Sequence, residues 1–575
     1  MKNKLISGKE FNKKVRLWLI DYIIFTDEAA PKGVELTDLS NDGDGSVVGW
    51  MEDDTYKVST QERGQKVIFN QDCSYMFQER TRSAIENIYF NNIDTSHVIN
   101  MARMFALCGN LKELDLSKFD TSKVTNMRGM FDGCESLKKL NLSGFNISKV
   151  KYMNGMFSDC KNLKELNLKN FDTSYATKMN DMFCGCKNLE ELDLSSFNTS
   201  NVENMGGMFS KCENLTKLDL SGFDASKVKD MSRMFCECRN LKELNLSGFD
   251  TSNVKNMSTM FYDCRNLKEL DLSSFYTSKV SSMSCMFAKC ENLTKLNLNN
   301  FDTSKVKDMS SMFSTLNLTN LNLSHFDTHN VTNMSYMFSN CSLKKLDLNK
   351  FNTHKVKNMQ GMFVYCENLE ELDLNNCDTS NVKNMGHMFC GCESLKKLDL
   401  NTFDTSRVEE MSCMFALCGN LKELNLSGLF DASNVKGMQK MFLGCKSLQE
   451  LDLSAFNTSN AMDMYAMFKN CENLKKLDLR SFDTSKVKYI PCIFEGCGKL
   501  STVKTNSDEL KEAYKEQHIE QSLGISDIFE EINENQIKEN LNDEKKNVTY
   551  KNVDPNNLKM SKGKEIQKDK GIDKE

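Results

Sequence analysis

The 575-residue sequence has little net charge, no long apolar run and only six histidines. Each shortage closes off a class of function. The 74 basic and 80 acidic residues sum to −6. With neither a basic excess nor a basic stripe, nucleic acid is not an expected partner. No stretch is apolar over a bilayer's width, so no integral membrane segment is expected. Near the N-terminus the one apolar run, Leu17 to Phe25, contains Asp21, and Lys9, Lys13, Lys14 and Arg16 precede it. It lacks a small-residue cleavage site and reads as a short amphipathic segment, not a secretory signal. No anchor is recognisable at the C-terminus. Glycine-rich phosphate loops, nucleophile elbows and H-E-x-x-H motifs are also missing.

The histidines offer the few candidates for site chemistry. His329 and His354 replace the same serine in consecutive copies of a repeat, so they should be near neighbours. No Asp, Glu or Cys joins them beyond those of the ordinary repeat, and they read as part of a solvated turn. His97 and His387 are isolated. "SNDGDG" (40–45) resembles a calcium loop, but Met51 stands where the twelfth-position glutamate belongs, so a turn is the better reading. No enzyme activity is expected. No catalytic, cofactor-binding or metal-binding residue is assigned, no cofactor is implied, and the ligand-binding residues are unknown.

What the sequence does contain is one line written many times. "FDTSKVTNMRGMFDGCESLKKLNLSGF" (119–145) returns as "FDTSNVKNMSTMFYDCRNLKELDLSSF" (249–275) and "FDTSRVEEMSCMFALCGNLKELNLSG" (403–428). The phenylalanine of the "MF" pair marks each copy, from Phe105, Phe131 and Phe157 to Phe494, usually 26 residues apart, with a degenerate copy ending at Phe77. Self-similarity at this period is the signature of a solenoid. Spacings of 25 before Phe338 and Phe363, and the extra Leu429 before Phe442, are slips that turns can absorb.

Within a copy, Leu111, Leu114 and Leu116 have leucine-rich-repeat spacing, which predicts a short parallel strand with Leu114 and Leu116 inward and Glu113 and Asp115 outward. Val124, Met127, Met130 and Phe131 then follow at helical intervals, which predicts about two turns of helix or 3₁₀ structure capped by Asp120, Thr121 or Ser122. The Met pair is read as core under the strand.

The fold class is therefore an α/β solenoid of leucine-rich-repeat type with about 16 coils, each holding a short strand and a short helix or 3₁₀ segment, plus a small β-rich N-terminal cap. The expected organisation is a capping region over 1–70, the solenoid over 71–505, a helical segment over 506–541 and a disordered polar tail over 542–575. Leu510, Tyr514, Ile528, Phe529 and Ile532 could line one face of that helical segment.

The 23 cysteines are placed about one per copy, three residues after the marker phenylalanine, with Leu316 as the single replacement there. Leucine neither binds metal nor forms a disulfide, so the column reads as buried reduced thiols. Stacked coils would also bring neighbours within bridging range, which leaves disulfides open. Cys-X-Cys pairs at 184/186, 236/238 and 390/392 lack the second pair a zinc site needs.

The combination F-D-T-S-x-V-x-x-M-x-x-M-F-x-x-C-x-x-L-x-x-L-x-L, in register over about residues 71–505, resembles the BspA-like leucine-rich repeat surface proteins of bacteria. The resemblance implies a cell-surface or secreted protein that adheres to host or matrix components, without catalytic activity. The partner would be a protein or polysaccharide of unknown identity. The outward strand positions are repetitive and nearly charge-balanced, which suits weak, multivalent binding. The alternative is an intracellular, cytoplasmic scaffold, which the lack of a recognisable export signal and the reduced thiols would suit.

Overall fold

Each copy of the repeat closes one coil, and the coils stack through parallel backbone pairing. The computed structural model describes residues 2–79, 84–428, 430–454, 456–487 and 490–523. A single-residue bridge recurs from Asp72 to Asn100, Asn126, Tyr152 and onward to Asp463, giving about 17 turns of solenoid. On another side of most coils the L-x-x-L-x-L segment forms a short strand, usually of three residues, with its middle leucine inward, as in Glu113–Asp115. Lys217–Asp219 pairs with Glu243–Asn245 in parallel, Lys217 opposite Glu243 and Leu218 opposite Leu244.

The predicted helical segment is not a helix. Met130, Asp132 and Cys134 N–H donate to the carbonyls three residues back, while the alternate N–H groups of Met127, Gly129, Phe131 and Gly133 donate to the next coil at 2.8–2.9 Å. The segment is a chain of tight turns. Positions two before and two after the marker phenylalanine have positive φ, as at Arg103 (54°) and Leu107 (64°) or Thr259 (54°) and Asp263 (60°). Left-handed residues cannot continue a right-handed helix. A helix with its side chains is also about 10–12 Å across, too wide for strands stacked about 4.7–4.9 Å apart. The predicted cap survives in another role: Asp120 Oδ1 accepts the Ser122 N–H at 2.9 Å and closes the turn.

The core consists of columns. Phe105 lies over Phe131 at 5.6 Å with ring planes 4° apart, and the stack continues to Phe494. Met127 and Met130 are fully buried beside it, as the sequence predicted. A second ring column includes Phe197 over Phe223 at 6.4 Å. Buried Thr121 links coils by accepting the Asn146 N–H at 2.8 Å and donating to the Asn146 carbonyl at 2.9 Å.

The first coil is covered by a mixed sheet of β1 (Tyr22–Phe25), β2 (Thr37–Asp38), β3 (Val48–Glu52) and β4 (Thr55–Ser59), with β5 (Val67–Ile68) pairing separately and β6 (Asn87–Phe90) closing the order β2-β3-β4-β1-β6. Helix α1 (Gly8–Lys14) starts at a capping box between Ser7 and Glu10. Its Phe11 packs on Phe25 and Phe77 and shields the end of the ring stack. The chain divides into two compact units, Met1–Ser507 and Asp508–Glu575. The described part of the second is helix α2 (Asp508–Leu523). The insertion at Leu429, the proposed face residues Ile528, Phe529 and Ile532, and the 542–575 tail lie outside the described residues.

Candidate functional site

Two outward columns run along the strand face. One is mostly Lys or Glu, and neighbours of opposite sign pair across coils: Lys139 with Glu113 at 2.8 Å, Lys217 with Glu243 at 2.8 Å, Lys295 with Glu269 at 2.6 Å, Lys397 with Glu423 at 2.7 Å. The next column holds Asp or Asn. Its first oxygen caps a turn, and its amide often bonds the previous coil, as Asn141 Nδ2 does to Asp115 Oδ1 at 2.9 Å. Over most of the array this face therefore bonds to itself.

Among the described residues, the larger of two grooves on this face is at the N-terminal end, the smaller lying around Asp271, Asn297 and Asn322. This open groove of about 1070 Å³ crosses β6, the strands at 113–115 and 139–141, and the corresponding unpaired segments at 165–167 and 191–193. Lys112 N–H donates to the Glu86 carbonyl, and one coil on Lys138 N–H donates to the Lys112 carbonyl. This shared offset of 26 places Asn87 at the head of the Lys/Glu column and Tyr89 at the head of the Asp/Asn column. Glu165 and Glu191, on adjacent coils, have no ion partner among the described residues. Tyr89 heads this stretch and follows the degenerate copy that ends at Phe77, where the regular spacing to its column is not yet established.

A second cluster breaks the repeat on the turn side. Buried Asp263 receives Arg239 Nε at 2.8 Å and Arg265 Nε at 2.6 Å. Arg239 also reaches Glu237 at 2.9 Å and Glu213 at 3.2 Å, and Lys187 adds to Glu213 at 2.9 Å. Bonding to Asp263 raises both guanidinium pKa values. Lys289 lies over the Tyr262 ring at 4.9 Å, and burial lowers its pKa to about 8. Both Asp263 oxygens are occupied, so the cluster is a staple between coils. The sequence does carry its signal: these side chains fall two and four residues after the marker in successive copies.

The cysteine column is also structural. Cys108 Sγ donates to the Phe77 carbonyl at 3.1 Å, Cys134 to Phe105 at 3.1 Å, and the pattern reaches Cys497 on Phe468 at 3.0 Å. The cysteines are thiols outside any disulfide, and burial raises the pKa of Cys290 and Cys418 to about 12. In the 184/186, 236/238 and 390/392 pairs, the second thiol belongs to this ladder. His329 Nδ1 meets Asp327 Oδ1 at 2.7 Å, whereas His354 Nδ1 meets Asp378 Oδ2 at 2.9 Å. Each imidazole thus has its own carboxylate. At "SNDGDG", Asp44 Oδ1 accepts the Ser46 N–H at 2.9 Å, which makes a turn. No group of three or more His, Cys, Asp or Glu side chains among the described residues could hold a metal ion. Nor is any helix among them long and apolar enough to cross a membrane.

Among solved structures, a leucine-rich cell surface protein from Faecalibacterium prausnitzii is 15% identical, covering 84% of this chain and 98% of its own, with a TM-score of 0.28. A leucine-rich repeat protein from Eubacterium ventriosum is 14% identical over 72% of this chain and 93% of its own, with a TM-score of 0.25. The functional domain of InlJ from Listeria monocytogenes, described as including a cysteine ladder, is 16% identical over 73% and 70%, with a TM-score of 0.21. At such scores these likenesses carry nothing further. No curated protein matches the sequence. One family model matches in five overlapping segments, residues 71–166, 159–269, 236–346, 335–427 and 419–523. The chain belongs to the family described as "Mycoplasma protein of unknown function, DUF285".

Proposed function

We propose that the chain is a non-enzymatic interaction protein, surface-exposed or secreted, which adheres to a repetitive protein or polysaccharide through many weak contacts along its solenoid. The supporting observation is the self-bonded strand face: the Lys–Glu and Asp–Asn ladders recur coil after coil, so no single position stands out there as an anchor. Affinity on such a face comes from avidity. The resemblance to BspA-like surface proteins supports the location and the adhesive role. One observation favours a second reading, an intracellular scaffold: the cysteines are free thiols, which suits a reducing compartment.

The test measures binding of the full chain, and of chains truncated after Phe415, Phe363 and Phe313, to immobilised collagen fibres and to an immobilised polysaccharide, each at two salt concentrations. Affinity should fall step by step with length and fall again with salt, because exposed charges are screened within about 8 Å at physiological ionic strength. Full affinity in one short segment, with the rest dispensable, contradicts the multivalent reading.

A further inference from the structure

We propose that the N-terminal groove on the strand face is a subsite for a linear, hydroxyl-rich oligosaccharide, with Tyr89 as its stacking platform. The inference rests on the interaction reading above and names the chemistry of one partner.

Three observations carry it. First, in the part of the groove around residues 165–167 and 191–193 the outward face stops bonding to itself, beyond the Lys139–Glu113 and Asn141–Asp115 pairs. The other neighbouring glutamates whose partners are seen turn to a lysine on their far side: Glu243 to Lys217, Glu269 to Lys295. Glu165 and Glu191 also have a lysine on their far side, Lys139 and Lys217, but each of these pairs with the glutamate beyond, Glu113 and Glu243, and leaves the two adjacent carboxylates without an ion partner among the described residues. Asn167 uses its oxygen to cap Lys169 N–H at 3.2 Å, and no described residue takes its amide. Carboxylates, an amide and the Lys138 ammonium thus face the groove with bonding capacity to spare.

Second, that mixture of donors and acceptors matches hydroxyl groups, which donate and accept at once. A polyanion would meet Glu165, Glu191 and Asp193. A peptide held by apolar anchors would find few, since Tyr89 is the one aromatic side chain that lines the groove with its ring exposed (47%). An aromatic face offers its negative π-cloud to the positive C–H edge of a sugar ring.

Third, the groove spans β6 and four successive coils, to residues 191–193, at about 4.8 Å each, or roughly 20 Å in all. Its polar groups repeat once per strand, a spacing near the length of one pyranose in an extended chain. A multivalent adhesive face would then have one end that reads a carbohydrate.

The experiment is titration calorimetry of the full chain with cellohexaose, chitohexaose and maltohexaose, and with poly-lysine as a cationic polymer. The variants are Tyr89→Ala and Asn167→Ala, with Tyr276→Ala as an exposed tyrosine outside the groove. At least one hexasaccharide should bind, Tyr89→Ala and Asn167→Ala should each weaken it about tenfold or more, and Tyr276→Ala should leave it unchanged. The proposal is overturned if no hexasaccharide binds, or if binding survives both groove variants. If poly-lysine alone binds and depends on Glu165 and Glu191, the groove takes a basic polymer instead. In both failures the length dependence of fibre binding still decides the broader interaction reading on its own.

Discussion

A buried thiol that donates to a carbonyl is a small hydrophobe and a hydrogen-bond donor at once, which suits a site too tight for a longer side chain. Cys160 illustrates it, reaching the Phe131 carbonyl at 3.3 Å with its own backbone N–H on Phe157. The ladder tolerates Leu316, which is itself buried, because packing supplies most of the stability there. Burial that raises the thiol pKa also makes these groups poor nucleophiles. Native protein at neutral pH should therefore react with a thiol reagent at the exposed Cys492 and little elsewhere, and the whole set should react after denaturation. Mass spectrometry that finds the ladder cysteines alkylated in the native state, or joined as disulfides, contradicts this. A second test concerns His387, whose pKa burial lowers to about 4, with Lys440 adding to the shift. The unfolded chain takes up this proton near pH 6.5 and the folded chain only near 4. Stability from this group is complete above about 6.5 and is lost as pH falls toward 4. His387→Asn, which keeps a side chain tolerant of the local φ of 61°, should flatten the pH dependence of the urea midpoint between pH 7 and 4.5 relative to the parent. An unchanged slope contradicts the assignment.

At the scale of one coil, a spacing of three and four apolar residues has two solutions, a helical face or a run of tight turns, and the sequence alone does not separate them. What separates them is the partner of the alternate backbone N–H groups, which lies in another coil. Columns that require positive φ were legible only in part. Glycines at 129, 133, 155, 185 and 207 hint at them, but Arg103, Asp181 and His387 occupy the same register without a glycine's freedom. In this column a large side chain often lies over a glycine of the next coil, as Tyr336 does over Gly361. A methyl at Gly361 would collide with that ring, whereas at Gly155 it would meet only Ser158 Cβ at 3.8 Å. Both substitutions carry the cost of positive φ, so their difference isolates the collision. Gly361→Ala should lose about 1–3 kcal/mol more than Gly155→Ala in urea denaturation. Equal losses would mean the Tyr336 ring moves aside freely.

Over the whole solenoid, the period, the inward leucines, the Met and Phe core and the thiol column were all readable because they recur and each copy confirms the next. The groove was not, because it depends on which departures from the repeat fall side by side and Tyr89 joins its column only through the cap's strand β6, while the Asp263 staple left its trace in charged residues two and four places after the marker in successive copies. Each coil is bonded to its two neighbours and to nothing farther away, so stability should be close to a sum of coil and interface terms. The most direct measurement is urea denaturation of a chain lacking residues 236–261, which joins Phe235 to Tyr262 in register and leaves Asp263 its second arginine, Arg265. The array account predicts a folded protein with an unchanged circular dichroism shape and a small shift in midpoint, whereas Met130→Ala with Phe131→Ala in an intact chain should cost far more, roughly 2–5 kcal/mol for each side chain. A deletion that unfolds the protein while the double substitution leaves it unchanged would contradict the account.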